Sequence, residues 1–411
     1  MERTIVGIDV GTTKMCAVVG ESGPEGDVRI VGVGVAPSRG IRRGVVVNVN
    51  EATEAIGSAI EKAERSSGYQ IARAFVSLAG THVNAVNSRG VVAVQRGDPG
   101  ITQDDVDRAI DAARAIAIPT DREVLHVIPR GFTVDGQDGV RDPVGMAGFR
   151  LEVEAHIVTG ATSSVHNLLK CIEGAHIAVD ALVLSSIASG EAALTEAEKE
   201  LGVVLADIGG GTTDIAIFID GSIWHTTILG VGGSHVTNDV AVGLRVPAEA
   251  AERIKIDYGG ARHQAIDPVD MIDVNGFDEG GKLRVARRDL AEIIEARAEE
   301  IFRLILQEVK RSGYDGLLPA GLVITGGSAQ LRGMRELGRQ VLDMPVRVGG
   351  PHDLVGLADT ISTPAYTTAV GLLKWGERQG DVLVRRKRST PGLGERMRSF
   401  FRNLLPDRGG T

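Results

Sequence analysis

Short apolar runs punctuated by glycine alternate along the chain with longer amphipathic stretches. Residues 4–10 and 15–20 read as two apolar strands around Gly11-Thr12-Thr13-Lys14, and a third follows at 30–36. A helical period runs from about Asn50 to Ser67, with Ala55, Ile56, Ala59, Ile60 and Ala63 on one face. Residues 74–78 are the next strand. From about Thr81 the character changes. Residues 91–94 read as a strand, and Thr102-Gln103-Asp104-Asp105 predicts a capped helix that stops before Pro119. Strands at 123–128 and 152–159 close this unit, which reads as a small α/β insertion. Helices at 163–173 and 185–198 flank a strand at 177–184. The second half opens with a strand at 203–207 and its hairpin partner at 215–219. It continues with helices at 248–257 and 288–311, a strand at 322–325 and a helix at 365–377. The Gly- and Asp-rich stretch 259–286 predicts loop or short strands.

A chain of 411 residues makes two to four compact units. Glycine, at 54 residues, is about twice its usual share, and its clustering at strand ends predicts many tight turns. Cys16 and Cys171 lie in no metal or redox pattern and read as reduced core residues. The first residues run straight into a strand without a leader pattern, and no apolar run is long enough to cross a bilayer; a cytoplasmic chain is expected. Charge is unevenly placed. Residues 385–411 carry +6, which leaves −15 for the rest. So acidic a body excludes a general nucleic-acid binder, and so basic a tail suits an anionic surface.

The strongest chemical signal occurs twice. Gly7-Ile8-Asp9-Val10-Gly11-Thr12-Thr13-Lys14 and Ala206-Asp207-Ile208-Gly209-Gly210-Gly211-Thr212-Thr213-Asp214 each end an apolar strand in Asp, turn through Gly and Thr, and resume as a strand. Glycines let backbone N–H groups approach phosphate oxygens, Thr hydroxyls add donors, and Lys14 supplies a point charge. Asp9 and Asp207, facing each other from two domains, can hold the waters of a Mg²⁺ ion. Neither copy is a Walker or dinucleotide-binding loop, because a strand and not a helix follows each turn.

The pair resembles the two phosphate loops of the actin and heat-shock chaperone ATPase fold. Three further segments carry the resemblance: Leu322-Val323-Ile324-Thr325-Gly326-Gly327-Ser328 as an adenosine motif, Gly230-Val231-Gly232-Gly233-Ser234 near the α- and β-phosphates, and Glu252 with Lys255 one helical turn apart. Read alone, the last pair is a surface ion pair; the resemblance places it at the ribose and base. Within this fold the chain is similar to the FtsA family over nearly its whole length. Matching stretches include Gly190-Glu191-Ala192-Ala193-Leu194-Thr195, Leu318-Pro319-Ala320-Gly321 and Pro364-Ala365-Tyr366-Thr367-Thr368-Ala369-Val370-Gly371-Leu372.

The resemblance implies an actin-like (ribonuclease H-like) two-domain α/β fold with an FtsA-type inserted subdomain. The first domain would comprise 1–81 and 161–202, the insertion 82–160, the second core 203–235 and 319–380, and a small subdomain 236–318. A basic linker, 381–392, would lead to an amphipathic helix, 393–405. Implied ligands are ATP and Mg. Implied partners are the C-terminal peptide of FtsZ, other copies in a filament, an anionic membrane, and other division proteins through the insertion. Arg297, in Ile294-Glu295-Ala296-Arg297, stands at the family's peptide contact; read alone it is one charge on a solvated face. Ser185-Ser186-Ile187-Ala188 replaces a family stretch whose acid positions the attacking water. Serine is no efficient base near neutral pH, so ATP binding with at most weak hydrolysis is expected.

In the tail, Leu393, Met397, Phe400, Phe401, Leu404 and Leu405 form one helical stripe, with Arg396, Arg398 and Arg402 beside it. Such a helix lies in the headgroup plane, and many copies on a filament bind by avidity. The expected role is a peripheral scaffold that tethers FtsZ to the cytoplasmic face of the cell membrane at the division septum. A sugar kinase or a pilus-assembly ATPase of the same fold are the alternatives.

Overall fold

The computed structural model describes residues 3–388, apart from 24–26, 95–99, 116–117 and 278–281. Two sheets carry the molecule and follow one plan. In the first, Val28–Pro37, Lys14–Ser22 and Arg3–Val10 form an antiparallel meander, continued in parallel by Arg73–Leu78 and Ala178–Leu184. In the second, Ser222–Leu229, Thr213–Ile219 and Val203–Ile208 form the meander, continued in parallel by Leu322–Thr325 and Val346–Val348. The fold is thus a structural repeat, and the two Gly-Thr turns occupy matching places in it. Val203–Ile208 is buried at every position, as a central strand covered on both faces must be.

The helices form where the sequence marks them. Val49–Ser67 starts at Asn48, whose side chain accepts from Asn50 N and Glu51 N, and ends at Gly68 in the left-handed conformation. In the inserted unit, Thr102 and Asp105 make the expected reciprocal cap on Gln103–Arg114. That helix covers a four-stranded sheet ordered Asn84–Ala93, Arg150–Ala161, Arg122–Val134, Gln137–Val140, with its own apolar core. The unit reaches across to the edge strand Ser222–Leu229 of the second half. There His156 Nε2 lies 2.9 Å from Thr226 Oγ1, and the Arg130 guanidinium stacks 4.1 Å over Trp224.

Several elements differ from expectation. The helix expected over 185–198 is two: Ser185–Ala193 stops where Leu194 turns extended, and Thr195 caps Glu196–Leu201 with Glu198. Strand Ser222–Leu229 escapes notice because Trp224, His225, Thr226 and Thr227 interrupt its apolar pattern. The stretch 259–286, by contrast, holds the short strands expected of it, as a hairpin of Met271–Asn275 with Lys282–Ala286. The last helix, Thr367–Arg388, takes in residues 381–388, which composition assigns to the linker. It also packs on the first sheet, not with the second core: a side chain at Gly7 would meet Leu372 Cβ at 2.9 Å, and Trp375 sits edge-on to Phe75. At Gly371 it crosses Ser185–Ala193 so closely that a Cβ would strike the backbone of Ala188. Residues 367–380 therefore belong in space with the first half, although sequence order places them with the second. The tail residues Leu393, Met397, Phe400, Phe401, Leu404 and Leu405 lie outside the described residues.

Candidate functional site

Each Gly-Thr turn is closed by one backbone hydrogen bond, Gly11 N to Lys14 O at 3.1 Å and Gly209 N to Thr212 O at 2.9 Å. The turns meet at the mouth of a cleft of about 600 Å³ between the halves. Thr13 stands against Gly210 and Thr12 against Gly211, and neither glycine has room for a Cβ. Hairpin register fixes what lies behind each turn: Asp9 opposes Cys16, and Asp207 opposes Asp214.

Three carboxyls therefore share the floor of the cleft. Asp9 accepts from Ser77 Oγ at 2.8 Å, and burial raises its pKa to about 6. Asp207 accepts from Ser189 Oγ at 2.5 Å and Thr368 Oγ1 at 2.9 Å, and burial holds it above the usual carboxylate range. Asp214 accepts from Thr212 Oγ1 at 2.8 Å, while its Oδ1 has no partner. Burial, then the charge of Asp207, pushes it up to about 8. At Asp9 and Asp207 burial outweighs the attraction of nearby Lys14, and at Asp214 it acts together with the neighbouring carboxylates. Among the described residues, no group of three or more His, Cys, Asp or Glu could hold a metal ion directly. Three carboxyls grouped on one floor have the chemistry to accept hydrogen bonds from the waters of a hydrated divalent cation.

Lys14, the expected phosphate cation, lines the cleft with its ammonium 3.5 Å from the centroid of the Tyr366 ring, and burial lowers its pKa. Gly233 N and Ser234 N donate to Gly209 O and Gly210 O, so the start of helix Gly233–Leu244 braces the second turn. Ser328 Oγ adds a bond to Gly209 O at 3.1 Å. Gly326 holds φ +85°, and a Cβ there would press on Ile208 O at 2.7 Å. Gly327 opens freely to the cleft.

Two expected ligand residues do not reach the cleft. The Thr213 hydroxyl is fully buried and donates to Val231 O at 2.9 Å. Gly232 lies beneath the second turn, where a Cβ would meet Gly209 O at 2.6 Å. At the far end, Lys255 Nζ bonds Glu252 Oε2 at 2.6 Å and Thr237 Oγ1 at 2.9 Å, with Ile256, Leu331 and Arg332 as walls. Helix Ser185–Ala193 brings no acid to the cleft. Its one carboxylate, Glu191, pairs with Lys199 and Arg378. Arg297 lies elsewhere. Its guanidinium grips Asp239 with two hydrogen bonds, at 2.6 and 3.1 Å, and Glu300 with a third.

A family model described as "Cell division protein FtsA" matches residues 204–371, and one described as "SHS2 domain inserted in FTSA" matches 80–159. The cell division protein FtsA of Pseudomonas aeruginosa is 44% identical over 380 residues, 92% of this chain and 91% of the relative. The chain belongs to the FtsA family. The FtsA of Escherichia coli K12 is 35% identical over 413 residues, covering 97% and 98% of the two chains. Among solved structures, the PilM-PilN type IV pilus biogenesis complex matches with a TM-score of 0.66 at 15% identity, over 91% of this chain and 98% of that one. MreB5 of Spiroplasma citri bound to AMPPNP matches with a TM-score of 0.55 at 14% identity, over 94% and 99%. These likenesses show the actin-like fold, and the FtsA family adds the inserted unit. Among the described residues no helix is long and apolar enough to cross a membrane.

Proposed function

We propose that this FtsA-family chain binds Mg-ATP between its halves, polymerises on the cytoplasmic face of the cell membrane, and tethers FtsZ there during septum assembly. The observation that carries this reading is the convergence of two Gly-Thr turns and three carboxyls, Asp207 and Asp214 buried and Asp9 half-buried, on one cleft. Thr12, Thr13, Gly210 and Gly211 offer backbone N–H groups and hydroxyls to the phosphates, on turns that the Gly11 and Gly209 N–H groups close. Asp9, Asp207 and Asp214 would hold the waters of a magnesium ion, whose charge would offset that of the carboxyls and of the phosphates. Glu252 and Lys255 meet the ribose and base, with Gly326, Gly327 and Ser328 opposite. Turnover is slow, because no carboxylate from helix Ser185–Ala193 faces the cleft to activate water.

The tail from Leu393 to Leu405 is the membrane anchor, weak singly and strong in a polymer. Arg297 meets an acidic residue of the FtsZ peptide, and the inserted unit meets other division proteins. Equilibrium binding of ATP with and without Mg tests the site; the full chain binds only with the metal, and failure to bind ATP overturns the reading. Pelleting with anionic vesicles tests the anchor. The full chain with Mg-ATP sediments and a chain ending at Arg388 stays in solution; equal sedimentation removes the membrane role. A panel of sugars gives no ATP consumption, and turnover with any of them favours a kinase.

A further inference from the structure

A small hairpin sits over the phosphate end of the cleft. Ile41–Arg42 pairs with Val45–Val46, in the register Ile41↔Val46 and Arg42↔Val45, so Arg43 and Gly44 alone make the turn. Both are left-handed, with φ +51° and +73°. Two-residue turns of this hand favour Asn-Gly or Gly-Gly. Arginine at the first position runs against that preference, so local conformation does not account for it.

The turn is wedged between the two halves. A Cβ on Gly211, in the second phosphate turn, would lie 3.1 Å from Arg43 Cα. Gly44 N donates to Thr12 Oγ1 of the first phosphate turn at 3.3 Å, and Gly44 lines the cleft. Gly44 is also packed against Ala79 and Gly80, where a Cβ would come within 2.8 Å. The backbone bearing Arg43 is thus pinned beside both loops, while its side chain is exposed. Among the described residues it makes no ion pair. Its charge is felt at His235, in the first turn of helix Gly233–Leu244, which burial first and Arg43 second hold below the usual histidine value.

Charge balance gives this cation a purpose. The phosphate end holds Asp9, Asp207 and Asp214, against Lys14, whose ammonium is set on the Tyr366 ring. Lys255 is tied to Glu252 at the other end. A triphosphate keeps net negative charge after one Mg²⁺ ion, most of it on the terminal phosphate. We infer that Arg43 makes the site discriminate a nucleoside triphosphate from a diphosphate: its guanidinium turns over Gly211 onto the terminal phosphate and ties the first half to the second. Guanidinium suits this task because it bonds phosphate oxygens in pairs and stays charged. This deepens the reading of the cleft as an ATP site and rests on it.

The test is the dissociation constant of Mg-ATP and of Mg-ADP, measured by displacement of a fluorescent nucleotide from the full chain, from R43G and from R43K. Glycine suits the left-handed turn, so R43G removes the side chain without disturbing the hairpin. R43G is expected to lose roughly tenfold or more in ATP affinity, the worth of one charged hydrogen bond, with ADP changed by less than about threefold. R43K should recover part of the ATP affinity. Equal losses for ATP and ADP, or no loss for either, would overturn the inference while leaving the ATP site intact. Absence of nucleotide binding by the unmodified chain would overturn both.

Discussion

Thr12 of the first half fills the space that a side chain on Gly211 of the second would need. A Cβ at 211 would stand 2.6 Å from the Thr12 hydroxyl and 2.9 Å from its methyl group. Gly211 does not have the left-handed φ that only glycine tolerates, so alanine strains no backbone there. The conflict is wholly between the halves. Gly211→Ala is expected to leave unfolding in denaturant within about 1 kcal/mol of the parent, because each half keeps its own packing. Affinity for Mg-ATP should fall by roughly tenfold, since the turns can no longer close. Unchanged affinity would mean that contact between the turns is irrelevant to binding.

Asp214 supplies a pH test of the cleft floor. Its folded pKa is about 8, against 3.8 unperturbed, with burial as the first cause and Asp207 as the second. The folded chain keeps this proton over a range where the unfolded chain has released it. Stability therefore falls as pH rises, by at most about 1.4 kcal/mol per unit for one proton. The window from pH 6.5 to 8 lies above the value of about 6 for Asp9, while Asp207, also raised by burial, acts in the same direction and remains in the Asp214→Asn variant. Asp214→Asn carries no such proton. Without nucleotide, its denaturant midpoint should change less than the parent's across this window. Parallel loss in both chains would refute the assignment.

His156 gives the opposite dependence at lower pH. Burial, followed by the charges of His225, Arg130 and His126, lowers it to about 3. It joins the inserted unit to the second half, lying 2.7 Å from Asn87 Oδ1 and 2.9 Å from Thr226 Oγ1. The unfolded chain takes up a proton below about pH 6.5 and the folded chain does not, so this contribution is lost as pH falls towards 3. His156→Gln should cut the acid-side slope of stability by about 1.4 kcal/mol per pH unit between 6 and 4.5. His126, lowered to about 4 by burial, acts in the same direction and remains in the variant. An unaltered slope would place the proton uptake elsewhere.

Sequence made the repeat legible because both turns keep the same order of Asp, Gly and Thr between apolar strands. Asp214 was within reach as well, since the register that pairs Asp207 across the hairpin puts Asp214 opposite it. Counting strand positions back from the turn would have found it. Ser77, Ser189 and Thr368, which hold the carboxyls, gave no such signal, because they arrive from strands and helices up to 161 residues away. Thr213 departs from its expected role for a related reason. Strand alternation turns its hydroxyl away from the cleft, into a bond with Val231 O. Helix Thr367–Arg388 shows another limit: its periodicity declares a helix, but only packing against Gly7 and Phe75 shows which half it joins.

The pairing of Arg297 with Asp239 bears on the proposed FtsZ contact. Two hydrogen bonds link the guanidinium to Asp239, across helices Gly233–Leu244 and Arg287–Ser312, and both side chains are about a quarter exposed. An acidic peptide can engage Arg297 fully only by displacing Asp239. The internal carboxylate therefore competes with the partner's. Asp239→Ala should release two of the guanidinium's three hydrogen bonds, leaving the one to Glu300, and tighten binding of a labelled FtsZ C-terminal peptide by roughly threefold to tenfold. Arg297→Ala should weaken it, and adding Asp239→Ala to that variant should restore nothing, because the gain passes through the arginine. Fluorescence anisotropy of the peptide measures all three. Tighter binding in the double variant would show that Asp239 repels the peptide directly, and no change in any variant would move the contact away from Arg297.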